Sequence, residues 1–253
     1  MSRYRFEIAF LGLALMPPCA LALDGATPAA HDSTSATASG APAAPARTPQ
    51  PDAATGKRAE FAREPASVDV RHIADWAMDS GDNKGLPFVI IDKVNAKIFV
   101  FGADGRIRGA APALLGLARG DDTVPGIGER ALSSIRPEER TTPAGRFVAE
   151  RGMSARGEDV VWVDYDSGVS LHRVVTSNPL DRRLQRLATP TPADNRISYG
   201  CINVPAAFYN NVVNPSFAGT SGIVYVLPET RPLRPVFGSY DVETLHQSTA
   251  QAP

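Results

Sequence analysis

Residues 86–101 read Leu-Pro-Phe-Val-Ile-Ile-Asp-Lys-Val-Asn-Ala-Lys-Ile-Phe-Val-Phe, and this stretch indicates the fold class. Two runs of β-branched and aromatic residues flank a turn at 94–96, which is the pattern of a β-hairpin. Working outward, similar short runs bounded by Gly, Asp and Ser recur at 107–115, 145–149, 160–163, 169–175 and 222–227. Six or more such strands predict a mostly β (α+β) fold built on a mostly antiparallel sheet or barrel.

Helices are predicted on both sides of the strands and between them. Apolar residues recur at helical spacing over 66–79, and Gly81 follows as a stop signal. Asn178 is predicted to cap a second helix whose shared face carries Leu180, Leu184 and Leu187. A third helix is predicted over 205–213, directly after Cys201.

These patterns divide the chain into consecutive regions. The strand-rich domain is predicted to span 85–237, with a helical N-terminal extension at 57–84 and a flexible tail at 238–253. Residues 117–140 show no clear periodicity and are predicted to form a long loop, a feature that often acts as a lid.

The N-terminal region has the composition of an exported protein. Residues 1–22 combine Arg3 and Arg5 with an apolar run and a small-x-small site, as a signal peptide does. The alternative is a membrane anchor, but the run is too short to span a bilayer. Of residues 23–56, 27 are Ala, Pro, Ser, Thr or Gly, so we predict a disordered linker. We therefore expect a protein of the periplasm or cell envelope, without a stable membrane span after signal cleavage.

The net charge and the cysteine count narrow the possible functions. A formal net charge of −1 gives no argument for nucleic acid as a partner. Cys19 would leave with the signal peptide, so Cys201 would be the lone thiol of an exported protein. Such a thiol is reactive, forms an intermolecular bridge, or is an inert buried residue. The number of cysteines alone does not distinguish these three alternatives.

Cys201 lies in the segment Arg196-Ile197-Ser198-Tyr199-Gly200-Cys201-Ile202-Asn203-Val204. Glycine before the cysteine allows a tight turn and the close approach of a substrate. The helix predicted after it would lower the pKa of the thiol. A thiolate nucleophile also needs a base, and His172 is the histidine predicted to lie on a strand of the sheet domain.

Two motifs resemble those of L,D-transpeptidase catalytic domains. Ser198-Tyr199-Gly200-Cys201-Ile202-Asn203 resembles the family's Ser-His-Gly-Cys-aliphatic-Arg/Asn signature, and His172 lies upstream as in the family. Thr142-Pro143-Ala144-Gly145-Arg146-Phe147 resembles its Thr-Pro-x-Gly-x-Phe strand entry. The motifs occur in the expected order, and the resemblance covers roughly 86–228.

The resemblance implies a mixed β-sandwich with short helices and a cysteine acyltransferase that acts on peptidoglycan stem peptides. Cys201 would be the nucleophile and His172 the general base, with the carbonyl of Arg173 orienting the imidazole. The N–H groups of Gly200 and Cys201 would face the oxyanion, while Ser198, Tyr199 and Asn203 would shape the pocket. Acylation by carbapenems is a further implication.

This chain also departs from the family pattern. Tyr199 stands where a second histidine is usual, and Arg173 follows the catalytic histidine in place of a small residue. The interval between His172 and Cys201 is longer by one helix, which fits a divergent branch. The added stretch is basic, and we predict that its arginines bind stem carboxylates by bidentate pairing, with candidates Arg182, Arg186 and Arg196. The alternative is a solvated helix face.

Several other functions remain to be compared with a transpeptidase. The same Cys–His site would act as a carboxypeptidase or amidase if water takes the acyl group, and a silent wall-binding module would leave the thiol unreactive. A sortase-like enzyme is disfavoured by Ser-Tyr-Gly before the cysteine, and a papain-like peptidase by the His-before-Cys order. No metal motif or other cofactor motif is found in the sequence, so none is predicted.

Overall fold

The computed structural model of this chain describes residues 56–250. The predicted signal peptide, 1–22, lies outside the described residues, as does the predicted linker, 23–56, except for Gly56. The strands are β1 (Phe88–Asp92), β2 (Lys97–Phe101), β3 (Ile107–Pro112), β4 (Leu115–Gly116), β5 (Gly145–Met153), β6 (Asp159–Asp164), β7 (Val169–Arg173), β8 (Arg196–Ser198), β9 (Ile202–Val204) and β10 (Gly222–Val226).

Eight of these strands form one mixed sheet in the order β3-β2-β1-β10-β5-β6-β7-β9. The β1–β10 and β7–β9 pairs are parallel and the other pairs are antiparallel. β4 and β8 form a separate parallel pair. The mostly β fold with a mixed sheet and short helices is therefore as the sequence predicts.

Short helices complete the fold. They are α1 (Val68–Ser80), α2 (Arg183–Ala188), α3 (Ala206–Phe208), α4 (Asn214–Ser216), α5 (Leu233–Phe237) and α6 (Val242–Ala250), with a π-helical turn at Tyr209–Val213 between α3 and α4. No helix within 56–250 has the length and apolar character needed to cross a membrane. The loop predicted at 117–140 is present and contains only short 3-10 turns, at Ile127–Glu129, Leu132–Ser134 and Pro137–Glu139.

The sheet buries apolar side chains on both faces. On the first face Val89, Ile91 and Leu171 belong to a core that also includes Tyr209 and Phe217. On the second face a separate core joins α1 and α6 to strands β1, β2 and β10, and its largest members include Phe88, Phe99, Phe101 and Tyr225. β1 is therefore buried throughout, which explains its continuous apolar sequence.

The N-terminal helix forms as the apolar spacing predicts. The Ser67 hydroxyl caps α1 by accepting a hydrogen bond from the Val70 N–H at 3.3 Å. Gly81 ends the helix in the left-handed conformation, with φ of 71°. Ile73 and Trp76 are buried against the sheet, so this extension packs on the same core as the strands.

Two predictions of local structure are wrong. Asn178 caps a 3-10 turn rather than a continuous helix, because Arg182 adopts a left-handed conformation with φ of 51° before α2 begins. Leu180 is consequently 88% exposed and does not share a buried face with Leu187. The segment 238–253, predicted as a flexible tail, contains α6, whose Val242 is buried in the second core.

Candidate active site

The parallel pairing of β7 and β9 brings the two predicted catalytic residues to neighbouring positions. His172 on β7 lies opposite Asn203 on β9, and Cys201 immediately precedes β9. The prediction that a helix starts directly after Cys201 is wrong, because β9 follows it and α3 begins only at Ala206. A helix N-terminus therefore does not adjoin the thiol.

The thiol of Cys201 and the imidazole of His172 influence each other's ionisation. Burial would raise the pKa of the half-buried Cys201 thiol, but the hydrogen bond and charge of His172 outweigh it and lower this pKa. Burial would lower the pKa of His172, whereas the interactions with Cys201 outweigh it and raise this pKa. The pair therefore favours a thiolate beside an imidazolium.

The orientation of the imidazole is set by the backbone of the next residue. His172 Nδ1 lies 2.7 Å from the carbonyl oxygen of Arg173 and donates to it when protonated. Nε2 is then the nitrogen left to face Cys201. The Arg173 side chain turns elsewhere, to Asp159 at 2.8 Å and to Asn210 at 2.7 Å, so only its carbonyl serves the histidine.

Two further groups contact the cysteine sulfur, and neither belongs to the sequence motifs described above. The Ser170 hydroxyl and the Gly168 carbonyl oxygen each lie 3.6 Å from Cys201 Sγ. Ser170 also lowers the pKa of the thiol. Strand alternation could have indicated Ser170, because residues two apart on β7 share the face that carries His172.

The turn before the cysteine is held by its own side chains. The Ser198 hydroxyl donates to the Cys201 carbonyl at 2.6 Å and accepts from the Gly200 N–H at 3.1 Å. The Asn203 amide also donates to the Cys201 carbonyl, at 3.2 Å. Ser198 and Asn203 are buried, so they position the nucleophile rather than line a pocket.

This arrangement changes the predicted oxyanion groups. The Gly200 N–H donates to the Ser198 hydroxyl and is therefore not available to bind an oxyanion. The Cys201 N–H, by contrast, donates to no acceptor among residues 56–250. A single backbone donor beside the sulfur is therefore what the turn offers to a developing oxyanion.

Glycine is required at position 200 because the segment that leads into β5 passes close to its backbone. Its φ of 133° is a conformation that disfavours other residues, and a Cβ here would lie 2.7 Å from the Thr141 carbonyl oxygen. The Thr142 hydroxyl, buried beside it, donates to the Gly200 carbonyl and accepts from the Gly116 N–H, both at 2.9 Å. The Thr-Pro motif therefore supports the cysteine turn directly.

Replacing Thr142 by valine should destabilise the cysteine turn with little change in side-chain volume. The Gly200 carbonyl and the Gly116 N–H would both lose a buried partner, so we expect a loss of roughly 1–3 kcal/mol in unfolding free energy. Urea unfolding measures it. Thr141→Val is the control, because Thr141 is only partly buried and bonds to Asp122 in the loop. Equal stability of the two variants would contradict this account.

The remaining aromatic residue of the motif does not contact the catalytic pair. The ring of Tyr199 lies under the guanidinium of Arg140, with 4.0 Å from Cζ to the ring centroid. This is a cation–π geometry. Tyr199 therefore packs against the loop residue Arg140.

The three arginines predicted to bind substrate have different environments. Arg196 is buried and pairs with Glu229 at 2.6 Å, so its assignment to a substrate carboxylate is wrong. Arg186 donates to the carbonyl oxygens of Asp181 and Asp194, both at 2.8 Å, and so holds the inserted stretch together. The exposed Arg182 guanidinium donates to no acceptor within 56–250, and it lines a cavity of about 210 Å³.

A neighbouring arginine connects the inserted stretch to the active site. Arg183 donates to Asp181 at 2.8 Å and to the Asn203 side-chain oxygen at 3.1 Å. Asn203 in turn holds the Cys201 carbonyl. The insertion therefore contacts the cysteine turn through Arg183, which was not among the predicted site residues.

His172 opens onto a cavity of about 410 Å³. Its wall includes Val160 and Val174, and charged side chains lie at its rim, namely Arg156, Glu158 and Asp159. A cavity of this size accepts a few residues of an extended peptide. No three metal-ligating side chains come together in the part of the chain that the structure describes.

Comparison with solved structures returns L,D-transpeptidase domains, the family that the sequence motifs resemble. An L,D-transpeptidase from Xylanimonas cellulosilytica shares 18% identity over 56% of this chain and 60% of that chain, with a TM-score of 0.36. The helical cell shape determining protein Pgp2 from Campylobacter jejuni shares 13% identity over 64% of this chain and 52% of that chain, with a TM-score of 0.39.

A third similar structure is L,D-transpeptidase 3 from Mycobacterium tuberculosis with a faropenem-derived adduct. It shares 14% identity over 56% of this chain and 60% of that chain, with a TM-score of 0.33. The chain thus spans only half to three-fifths of these solved chains, at low identity and low TM-score. No family model and no curated protein matches the chain.

Proposed function

We propose that this chain is an L,D-transpeptidase, a cysteine acyltransferase that cross-links or modifies peptidoglycan stem peptides. The observation that carries the proposal is the pair of Cys201 and His172, with Nδ1 anchored on the Arg173 carbonyl. This geometry leaves Nε2 to exchange a proton with the thiol and later with the leaving amine. Peptide acyl transfer requires both steps.

The proposed reaction has two halves. The Cys201 thiolate attacks a stem carbonyl, and the Cys201 N–H stabilises the oxyanion that forms. The carbon–nitrogen bond breaks, the imidazolium of His172 protonates the departing amine, and a thioester remains. An amine of a second stem then attacks the thioester and gives its proton to His172, and the Cys201 thiolate leaves as the new amide bond forms.

The location of the enzyme follows from this substrate. Peptidoglycan lies outside the cytoplasm, so the proposal includes export to the periplasm or cell envelope, with residues 1–22 as signal peptide and 23–56 as a tether. Carbapenems are proposed inhibitors, because their strained carbonyl is an acyl donor for the same thiolate.

Mass spectrometry of the intact protein tests this proposal. Wild type and Cys201→Ala are incubated with a carbapenem, and separately with disaccharide-tetrapeptide stems. We expect a covalent adduct on wild type alone, together with a cross-linked stem dimer. A trimmed stem without dimer would replace the transferase by a carboxypeptidase or amidase. A folded wild type with a free thiol but neither adduct nor product would favour a silent wall-binding module.

A further inference from the structure

An aromatic pair lies one strand away from the catalytic residues on the same face of the sheet. Trp162 on β6 is directly opposite Ser170 on β7, and residues opposite each other in an antiparallel pair point to the same side. Ser170 contacts Cys201 Sγ, and His172 follows two residues later on that face. Trp162 therefore lies on the same face of the sheet as Ser170 and His172, the two residues of β7 nearest the thiol.

The indole of Trp162 lies across the neighbouring strand rather than standing away from it. A Cβ added to Gly152 on β5 would fall 2.7 Å from indole Cδ1, so the absence of a side chain there makes room for the ring. Tyr165 packs against the indole with 5.1 Å between centroids and 67° between planes. The Tyr165 ring is 76% exposed, so the pair forms a partly exposed aromatic surface.

The second-face core does not extend over this part of the sheet. The second-face core consists of residues from α1, α6, β1, β2 and β10 together with neighbouring segments, and within the described residues none of its members comes from β5, β6, β7 or β9. Glu150 on β5 is directly opposite Trp162 and is exposed. No described residue forms an ion pair with Glu150, so its carboxylate is available to accept hydrogen bonds.

We propose that Trp162 and Tyr165, with Glu150, form a subsite for a pyranose ring of the glycan strand that carries the stem. The C–H bonds on one face of a pyranose carry partial positive charge and complement the negative face of an indole. The hydroxyl groups at the ring edge need acceptors, and the Glu150 carboxylate is a strong one. This subsite deepens the proposed function and rests on it for the identity of the glycan.

The distance between this subsite and the thiol suits a sugar that bears a peptide. Neighbouring strands lie about 4.8 Å apart, and β9 is two strands from β6 and three from β5, so the subsite lies roughly 10–14 Å from the cysteine. An extended peptide covers about 3.3–3.6 Å per residue, so about three to four stem residues bridge that separation. A stem attached to a sugar on Trp162 therefore reaches Cys201 without folding back.

Nuclear magnetic resonance of the full chain labelled with ¹⁵N tests sugar binding without catalysis. The chain has two tryptophans, and Trp76 is buried in α1, so its indole N–H resonance is an internal control. A chitin tetramer, which has pyranose rings and no stem, is the probe. We expect the Trp162 resonance to shift saturably at millimolar concentration while that of Trp76 does not, in both wild type and Cys201→Ala.

The result that overturns the subsite is a Trp162 resonance unmoved by about 10 mM probe. A shift caused by a sugar-free stem peptide and not by the chitin tetramer would equally overturn it, in favour of a peptide subsite. Because Cys201→Ala is included, failure of sugar binding is distinguishable from failure of the proposed chemistry.

Kinetics add a second readout. Tyr165→Ala removes a largely exposed ring, so folding is retained, and we expect about a tenfold rise in KM for a disaccharide-tetrapeptide donor, as for a lost aromatic anchor. KM for the bare tetrapeptide and kcat for both donors should stay unchanged. Leu180→Ala, at an exposed apolar residue of the inserted stretch, is the matched control. An equal rise for both donors would contradict sugar recognition.

Discussion

Replacing His172 by alanine should lower the rate of Cys201 acylation by about 100- to 10,000-fold, the usual contribution of a positioned acid–base group. The loss has two causes: the thiol pKa returns upward without the imidazolium, and the leaving amine loses its proton donor. The appearance of the carbapenem adduct over time, followed by mass spectrometry, measures the rate. His72→Ala is the matched control, since His72 bonds to Ser239 at 3.0 Å in another part of the fold.

The pH profile of acylation gives the same assignment a second test. Activity needs the thiolate, so the rate should rise as pH passes the lowered pKa of Cys201. It also needs the imidazolium as proton donor, so the rate should fall as pH passes the raised pKa of His172. Because the two groups interact, the two apparent pKa values of this profile belong to the pair and not to either residue alone. In His172→Ala the acid limb should move to higher pH, and an unmoved limb would contradict the ion pair.

Replacing Lys93 by methionine should destabilise the fold by about 3–5 kcal/mol, because the buried Asp121 carboxylate loses its nearest cation. Lys93 Nζ is fully buried, 2.8 Å from Asp121 and 2.9 Å from the Thr142 carbonyl. Burial would raise the pKa of Asp121, but hydrogen bonds from Lys93 and Thr230 hold it well below its usual range. Lys93→Met removes the first of these hydrogen bonds, while the Thr230 hydroxyl and the N–H groups of Glu229 and Thr230 still donate to the carboxylate and favour its charged form.

Urea unfolding measures this loss, and a second lysine on the same hairpin is the matched control. Lys97 pairs with Glu64 at 2.5 Å but is partly exposed, so Lys97→Met should cost no more than about 1 kcal/mol. If Lys93→Met were as stable as Lys97→Met, the buried cluster would not hold this region. Since Lys93 binds the carbonyl of Thr142, which supports Gly200, acylation should also slow in Lys93→Met.

Local patterns predicted those features that depend on neighbouring residues in the sequence. The strand runs, the cap and stop of α1, and the loop at 117–140 all follow from spacing, propensity and turn chemistry. The failures have a common cause in tertiary contacts. Arg196 looked like a surface cation because its partner, Glu229, lies far from it in the sequence. The residues of α6 looked like a tail because α1, against which they pack, lies further away still in the sequence.

The sequence predicted which residues form the candidate site better than it predicted what each of them does. The motifs identified Cys201 and His172, which the structure brings together, and the carbonyl of Arg173 lies where the resemblance implied. Ser198 and Asn203 belong to the motif as well, but only the structure reveals that they hold the Cys201 carbonyl. Ser170 carries no motif, since a serine on a strand becomes informative only when its neighbour is known.

Because β7 and β9 pair directly as parallel neighbours, the relative positions of His172 and Cys201 do not depend on the length of the segment that connects them. The chain leaves the sheet after His172 and returns beside it before Cys201, so the ladder fixes both residues whatever lies between. The connection can therefore change in length and in sequence without moving either residue. In this chain it contains α2, and the β7–β9 register still places His172 beside the cysteine turn.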